Sequence, residues 1–447
     1  MVQGSRHDDA MAAMVDSSPR SRNDDWPGFT DVFPSSKFGP TPVVVMDGGM
    51  GTTLQAPPFS QNIDSALWSS ELLATSEGRE TLARLHATWV EAGAECIGSN
   101  SYQSFLPLFL PRTSTHNCTQ EAHETMLSAL KCITSTSPEV RSTSSFSSTS
   151  RGHFPVLSLG PFGAVCYPGQ EYAGLYPSPF GSRGTPANIA YDVEAITLPS
   201  VPVTHDPEED NLTAFHLRRL NDFVEAKEWN RMKLIAFETI PVIKEARATR
   251  RAMQIFNGRI AGNDGRSKAR LPFYISFVFP LDGQGRIRYP DAGMVGSSLD
   301  EQMELLVEAV FGDREGEEVA DGFGINCSNP TRIEEVLQSL HKAMKASSDV
   351  AKRTEKPWLV LYPDGGAVYD VFTKTWSNPL GLTVEQWASL LVENVESSLA
   401  IQSKRMGSRG DEALWGGVIA GGCCKAGPEA IRALGKELAA RKLTTLA

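Results

Sequence analysis

The stretch Lys233-Leu234-Ile235-Ala236-Phe237-Glu238-Thr239-Ile240-Pro241 decides how the chain is read. A short apolar run ends abruptly in a carboxylate, a loop with a proline follows, and residues 242–256 carry apolar positions at helical spacing. A strand that is apolar on successive residues is buried on both faces, the situation of a parallel strand covered by helices. The same unit recurs outward in both directions. Strands are predicted at 43–46, 95–99, 155–159, 233–237, 273–278, 322–326, 358–362 and 417–420. Helices are predicted near 79–92, 119–133, 212–229, 242–256, 299–311, 330–346, 383–400 and 428–440. Eight strands alternating with eight helices predict an α/β fold, a (β/α)8 TIM barrel, although a doubly wound open sheet uses the same alternation.

The remaining segments are placed around that frame. Residues 1–38 are rich in Ser, Asp, Arg and Pro without apolar periodicity and are expected to form a disordered tail, leaving 39–447 for the barrel. A Ser/Thr-rich insertion at about 135–152 joins a helix to the next strand, on the face where barrels carry stability rather than chemistry. The long loop at about 160–211 follows the third strand and lies on the catalytic face, as does 279–298, and their Gly, Pro and Tyr residues suit a lid.

Composition narrows the function. The 447 residues hold 42 basic and 53 acidic side chains, a net charge of −11 with no basic cluster, which argues against a nucleic-acid partner. No apolar run reaches the roughly 18 residues of a membrane span and no secretory signal is evident, so no membrane partner and a cytoplasmic location are expected. Seven cysteines are too few and odd in number for a disulfide framework, so each is read as core, reactive thiol or metal ligand.

In a barrel the chemistry collects at the carboxyl ends of strands. The first ends in Asp47-Gly48-Gly49-Met50-Gly51-Thr52-Thr53, either a tight turn with a capping Asp or a carboxylate beside backbone that a ligand can approach closely. Glu238, poorly solvated, wants a substrate ammonium or a Lys or Arg, unless it serves the following helix as an N-terminal carboxylate. Together Asp47 and Glu238 suit the amino group of an amino acid. Cys327 is pinned between a strand end and the helix start Asn329-Pro330, and alone reads equally as core or nucleophile. The eighth strand ends in Gly421-Gly422-Cys423-Cys424, where two adjacent thiols are hard to explain by packing and a vicinal disulfide is the structural alternative. With Cys327 they offer three thiol ligands and an open fourth position, the arrangement of a catalytic zinc. Such a centre suits alkyl transfer to a thiol, with a sulfonium methyl donor and an amino-acid thiol such as homocysteine. Cys96 and Cys132 read as core, Cys118 and Cys166 as loop positions without partners, and His86, His123 and His216 as structural helix residues.

The ordered set Asp47-Gly48-Gly49-Met50-Gly51-Thr52, Ser101-Tyr102-Gln103, Gly160-Pro161-Phe162-Gly163-Ala164, Glu171-Tyr172-x-Gly174-x-Tyr176, Phe237-Glu238-Thr239-Ile240-Pro241, Ile325-Asn326-Cys327 and Gly421-Gly422-Cys423-Cys424 resembles the homocysteine S-methyltransferase family, from about Thr41 to the C-terminal helix. The resemblance implies a zinc-dependent barrel with one Zn2+ held by Cys327, Cys423 and Cys424, which act catalytically through it. It also implies that Asp47 and Glu238 bind the homocysteine amino group, that backbone near Gly48 and Gly49 takes its carboxylate, and that Asn326 belongs to the substrate site. The implied reaction is methyl transfer from S-methylmethionine or S-adenosylmethionine to homocysteine, giving methionine. The Ser101-Tyr102-Gln103 and Gly160–Ala164 strings resemble the sulfonium-using branch more than the glycine-betaine branch. Methylation of selenocysteine or another thiol, or a non-catalytic zinc or redox barrel, are the alternatives. Small-molecule substrates and a monomer or small homo-oligomer are expected. Two stretches depart from the family pattern: Tyr362-Pro363-Asp364-Gly365-Gly366-Ala367 stands where Tyr-Pro-Asn-Ser-Gly-Glu is usual, and Lys425-Ala426-Gly427-Pro428 replaces Arg-Thr-Thr-Pro.

Overall fold

A computed structural model describes residues 27–34, 41–63, 65, 67–110, 117–135, 153–184, 198–262, 269–370, 375–378, 380–403 and 414–443. The barrel strands are β1 (Val43–Val45), β2 (Cys96–Gly98), β3 (Phe154–Leu159), β4 (Leu234–Phe237), β5 (Phe273–Phe277), β6 (Gly322–Asn326), β7 (Trp358–Tyr362) and β8 (Val418–Ala420). They form one parallel sheet in the order β1-β8-β7-β6-β5-β4-β3-β2. A parallel bridge between Met46 and Cys96 joins β1 to β2, with the Glu95 N–H donating to Val45 O at 2.7 Å and the Asp47 N–H to Cys96 O at 3.0 Å. The sheet therefore closes, and the open-sheet alternative falls.

Side-chain alternation explains both cores. Val43, Val45, Ile235, Phe237, Leu359 and Leu361 point outward into the layer under the helices, while Val44, Met46, Leu234, Ala236, Trp358 and Val360 fill the barrel interior. The outer layer is covered by α1 (Ser76–Glu91), α2 (Asn117–Thr134), α3 (Pro207–Phe223), α4 (Ile243–Gly262), α5 (Leu299–Phe311), α6 (Ile333–Ala346), α7 (Val384–Ser403) and α8 (Pro428–Ala440). Local chemistry starts several of them. Thr75 caps α1 by accepting from the Gly78 N–H, Asp206 caps α3 ahead of Pro207, and Ser298 with Glu301 forms a capping box on α5. Among the described residues no helix is long and apolar enough to cross a membrane.

One part of the tail expectation is corrected. Residues 27–34 include a helical turn, Phe29–Val32, whose flanking aromatics Phe29 and Phe33 are both 1% exposed. They plug the amino-terminal end of the barrel, Phe29 edge-on to Tyr274 and Trp358 and Phe33 against Phe154 and Trp358. Residues 1–26 and 35–40 lie outside the described residues, as do nearly all of the 135–152 insertion and 185–197 of the long loop. Within that loop, residues 160–184 pack through a ring cluster, with Phe162 stacked on Phe180 and edge-on to Tyr176 and to Phe215 of α3.

Candidate active site

The alternation that fills the barrel with apolar residues changes character in its last layer. Continuing inward from Val156, Ala236, Tyr274, Gly324 and Val360, the next residues toward the strand ends are Ser158, Glu238, Ser276, Asn326 and Tyr362. These polar groups form one network. Ser276 Oγ hydrogen-bonds Tyr362 Oη at 2.5 Å and donates to Asn326 Oδ1 at 3.0 Å, and Asn326 Nδ2 donates to Thr239 Oγ1 at 2.7 Å. Glu238 hydrogen-bonds Ser158 and Tyr362, and burial pushes its carboxyl up to about 7. Asn326, expected in the substrate site, is 1% exposed and uses both ends of its amide on Ser276 and Thr239.

Asp47 is buried at the tip of β1, where its Oδ2 accepts from the Gly98 N–H at 2.8 Å. Burial raises its pKa well above the ordinary value, and the Glu238 carboxylate adds to the rise. The two carboxyls thus share one field, each disfavouring ionisation of the other until a cation arrives. The glycines after Asp47 lie against the 423–426 turn, and a side chain at Gly48 would run into Ala426 O and the Trp89 ring. The Gly49 N–H donates to Ala426 O at 3.1 Å, so of the two amides expected to meet a carboxylate only that of Gly48 is without a partner among the described residues.

The three cysteines converge as the sequence suggests. The Sγ atoms of Cys327, Cys423 and Cys424 lie within 4.8 Å of one another although they come from the ends of β6 and β8. Backbone hydrogen bonds lock the two turns together: Cys327 N–H to Tyr362 O at 3.1 Å, Cys423 N–H to Pro363 O at 2.8 Å, Gly422 N–H to Asp47 O at 2.9 Å and Gly365 N–H to Cys424 O at 2.7 Å. Thr239, Cys327 and Lys425 adopt left-handed φ of 61°, 44° and 64°, strain that clusters at the site. In the structure Cys327 and Cys423 are joined as a disulfide with Cα atoms 5.3 Å apart. The vicinal pairing of Cys423 with Cys424 is not formed, and Cys424 is free. A metal would require the joined pair in its reduced state.

The donor set fits a thiophilic cation. Burial, together with the Asp364 and Glu171 carboxylates, pushes the Cys424 thiol up to about 11, so that thiolate forms there at neutral pH only with a positive partner. Among the described residues no Lys or Arg is ion-paired with Asp47, Glu171, Glu238 or Asp364. The other cysteines stay apart, Cys96, Cys132 and Cys166 all being buried, and the Cys118 side chain lies outside the description. His86 is fully buried, and His216 bonds Glu245.

Several residues of the pocket had no role assigned from sequence. Tyr102 reaches the Thr239 hydroxyl, and Tyr172 hydrogen-bonds Cys424 from the loop after β3. The strand-end polar layer was detectable as the inward alternation of β3–β7 turning polar near each strand's carboxyl end. Tyr102 and Tyr172, on irregular loops, carry no such periodic signal.

A family profile described as homocysteine S-methyltransferase matches residues 44–438. Homocysteine S-methyltransferase 2 of Arabidopsis thaliana is 26% identical over 406 residues, covering 89% of this chain and 93% of that protein. Homocysteine S-methyltransferase YbgG of Bacillus subtilis is 26% identical over 395 residues, covering 88% and 93%. The homocysteine methyltransferase MmuM from Escherichia coli shares the fold, its oxidized form at TM-score 0.53 and 20% identity over 88% of this chain and 95% of that one. Its metallated form superposes at TM-score 0.52 and 19% identity with the same coverage.

Proposed function

The chain belongs to the homocysteine S-methyltransferase family, and we propose that it moves a methyl group from a sulfonium donor, S-methylmethionine or S-adenosylmethionine, to the thiol of L-homocysteine, forming methionine. The observation that carries this reading is the convergence of Cys327, Cys423 and Cys424 to within 4.8 Å beside the buried Asp47 and Glu238. The three cysteines would hold one Zn2+. Bound there, it supplies the Lewis acidity that lets a substrate thiol react as thiolate near neutral pH.

The chain's own groups do the rest. Asp47 and Glu238 take the homocysteine ammonium, whose charge restores both carboxyls to the ionised form, and the Gly48 amide is placed for its carboxylate. Asn326 and Ser276 fix Thr239 and Tyr362 beneath them. Tyr102, bonded to Thr239, and Tyr172, bonded to Cys424, complete the mouth around these groups. As the acceptor sulfur bonds the methyl carbon, the donor carbon–sulfur bond breaks, its electron pair stays on the donor sulfur as a neutral thioether, and the thiol proton is lost to solvent.

The test supplies reduced protein with zinc, homocysteine and each donor in turn. Methionine should form from a sulfonium, and Cys423→Ala should lose zinc and turnover together. Methionine from glycine betaine alone would overturn the donor assignment, and full turnover by metal-free Cys423→Ala would overturn the mechanism.

A further inference from the structure

The mouth of the barrel holds more carboxyl groups than the acceptor needs, and burial pushes Glu171 and Asp364, like Glu238, up to about 7. Asp47 and Glu238 account for one ammonium, yet Glu171 and Asp364 stand on the other flank, and both their charges bear on the Cys424 thiol and the Tyr172 phenol. Each is held in place. Glu171 is on the loop packed by Phe162 and Tyr176, and its Oε2 is sealed from solvent without a hydrogen-bond partner. Asp364 follows β7, where its N–H donates to Ser328 O at 3.1 Å, its carbonyl accepts from Trp387 Nε1 at 2.8 Å and its Oδ1 accepts from the Gly366 N–H at 2.7 Å. A buried carboxylate oxygen with no partner is costly to retain unless a ligand completes it. Gly365, the next residue, donates its N–H to Cys424 O at 2.7 Å, which sets the Asp364 turn against the cysteine pair.

We propose that Glu171 and Asp364 recognise the positive charge of the methyl donor, selecting onium cations over neutral or anionic methyl carriers. The inference rests on the methyl-transfer reading above and adds the donor half of the site to it. A kinetic signature follows from the charge balance of the step. The donor sulfur is cationic before transfer and a neutral thioether afterwards, so its charge fades as the carbon–sulfur bond breaks. Carboxylates on that flank therefore hold the bound donor more tightly than the transition state or the product. Removing one of them should raise the donor KM without lowering kcat.

Asp364→Asn is the informative variant because it keeps the Oδ1 acceptor used by Gly366, and Glu171→Gln is its counterpart across the pocket. Steady-state kinetics with S-methylmethionine should show the donor KM raised about tenfold in each, a change of roughly 1.4 kcal/mol. The homocysteine KM and bound zinc should match the wild type, and the melting temperature should not fall below it, since burial opposes ionisation of both carboxyls. Inhibition by methionine, the matching neutral thioether, measured as the component competitive with donor, should be unchanged. An unchanged donor KM in both variants, or equal rises for donor and methionine, would overturn the inference while leaving methyl transfer intact. Failure of the wild type to use any sulfonium would remove the functional reading itself, and this inference with it.

Discussion

Glu238 is the first charged residue on the inward face of β4, after Leu234 and Ala236, and its position one step beyond an apolar layer sets its chemistry. Its carboxyl is pushed up to about 7 because burial outweighs the hydrogen bonds from Ser158 and Tyr362. An unfolded Glu titrates near 4.3, so between that pH and about 7 the folded protein retains a proton that the unfolded chain releases. Folding stability must therefore fall as pH rises through this window and level off above it. Glu238→Gln cannot lose that proton, so in protein free of zinc and homocysteine its melting temperature should gain on the wild type from about pH 4.3 to about pH 7 and keep a constant lead beyond. Parallel melting curves across the range would show that the carboxyl is not held protonated. The same variant should bind homocysteine more weakly. From sequence, the end of the apolar run already marked Glu238 and Asp47. Asn326 stood out by the same strand-end position, but that its amide bonds Ser276 and Thr239 could not be read from the sequence.

At the scale of elements, one buried carboxylate ties the loop after β3 to the barrel wall. Glu245, in the first turn of α4, accepts from the Phe162 N–H at 2.6 Å and from Tyr176 Oη, and its Oε1 lies 2.9 Å from His216 Nε2. Arg219 of α3 completes the anchorage by donating to the carbonyls of Ser101, Tyr102, Ser104 and Gly160, which fixes the loops carrying Tyr102 and Glu171. Glu245→Ala strands these donors in a dry environment. It should cost about 3 kcal/mol in urea unfolding and speed amide exchange in 162–180. A loss below about 0.5 kcal/mol, the range of ordinary surface changes, would contradict the anchoring role. The strands were legible to within about a residue because apolar runs buried on two faces have sharp ends. The start of α3 was not, because Asp206 and Pro207 begin a first turn whose residues Glu208, Glu209 and Asp210 are polar and show no periodicity. Phe29 and Phe33 were read as tail for the same reason, two isolated aromatics in a polar stretch forming no repeat.

Over the whole molecule, closure of the sheet is what makes the chemistry available. Cys327 and Cys423 are far apart in sequence, and only a barrel with β7 between β6 and β8 brings their turns to a common mouth opposite the end plugged by Phe29. The alternation of strands and helices made this fold readable, and the fold in turn made the dispersed cysteines a cluster. The stretches carrying Tyr172 and Asp364 stood out in the sequence as motif strings, but the direction of their side chains did not, because irregular backbone has no sequence period. The central claim is that reduced Cys327, Cys423 and Cys424 bind one zinc and leave a position open for the substrate sulfur. The zinc-edge absorption spectrum of the reduced, zinc-loaded protein, recorded before and after adding homocysteine, tests it most directly. The account predicts three sulfur neighbours and one lighter atom in the free protein, changing to four sulfur neighbours with homocysteine; a fixed shell of four protein ligands, unmoved by homocysteine, would contradict it.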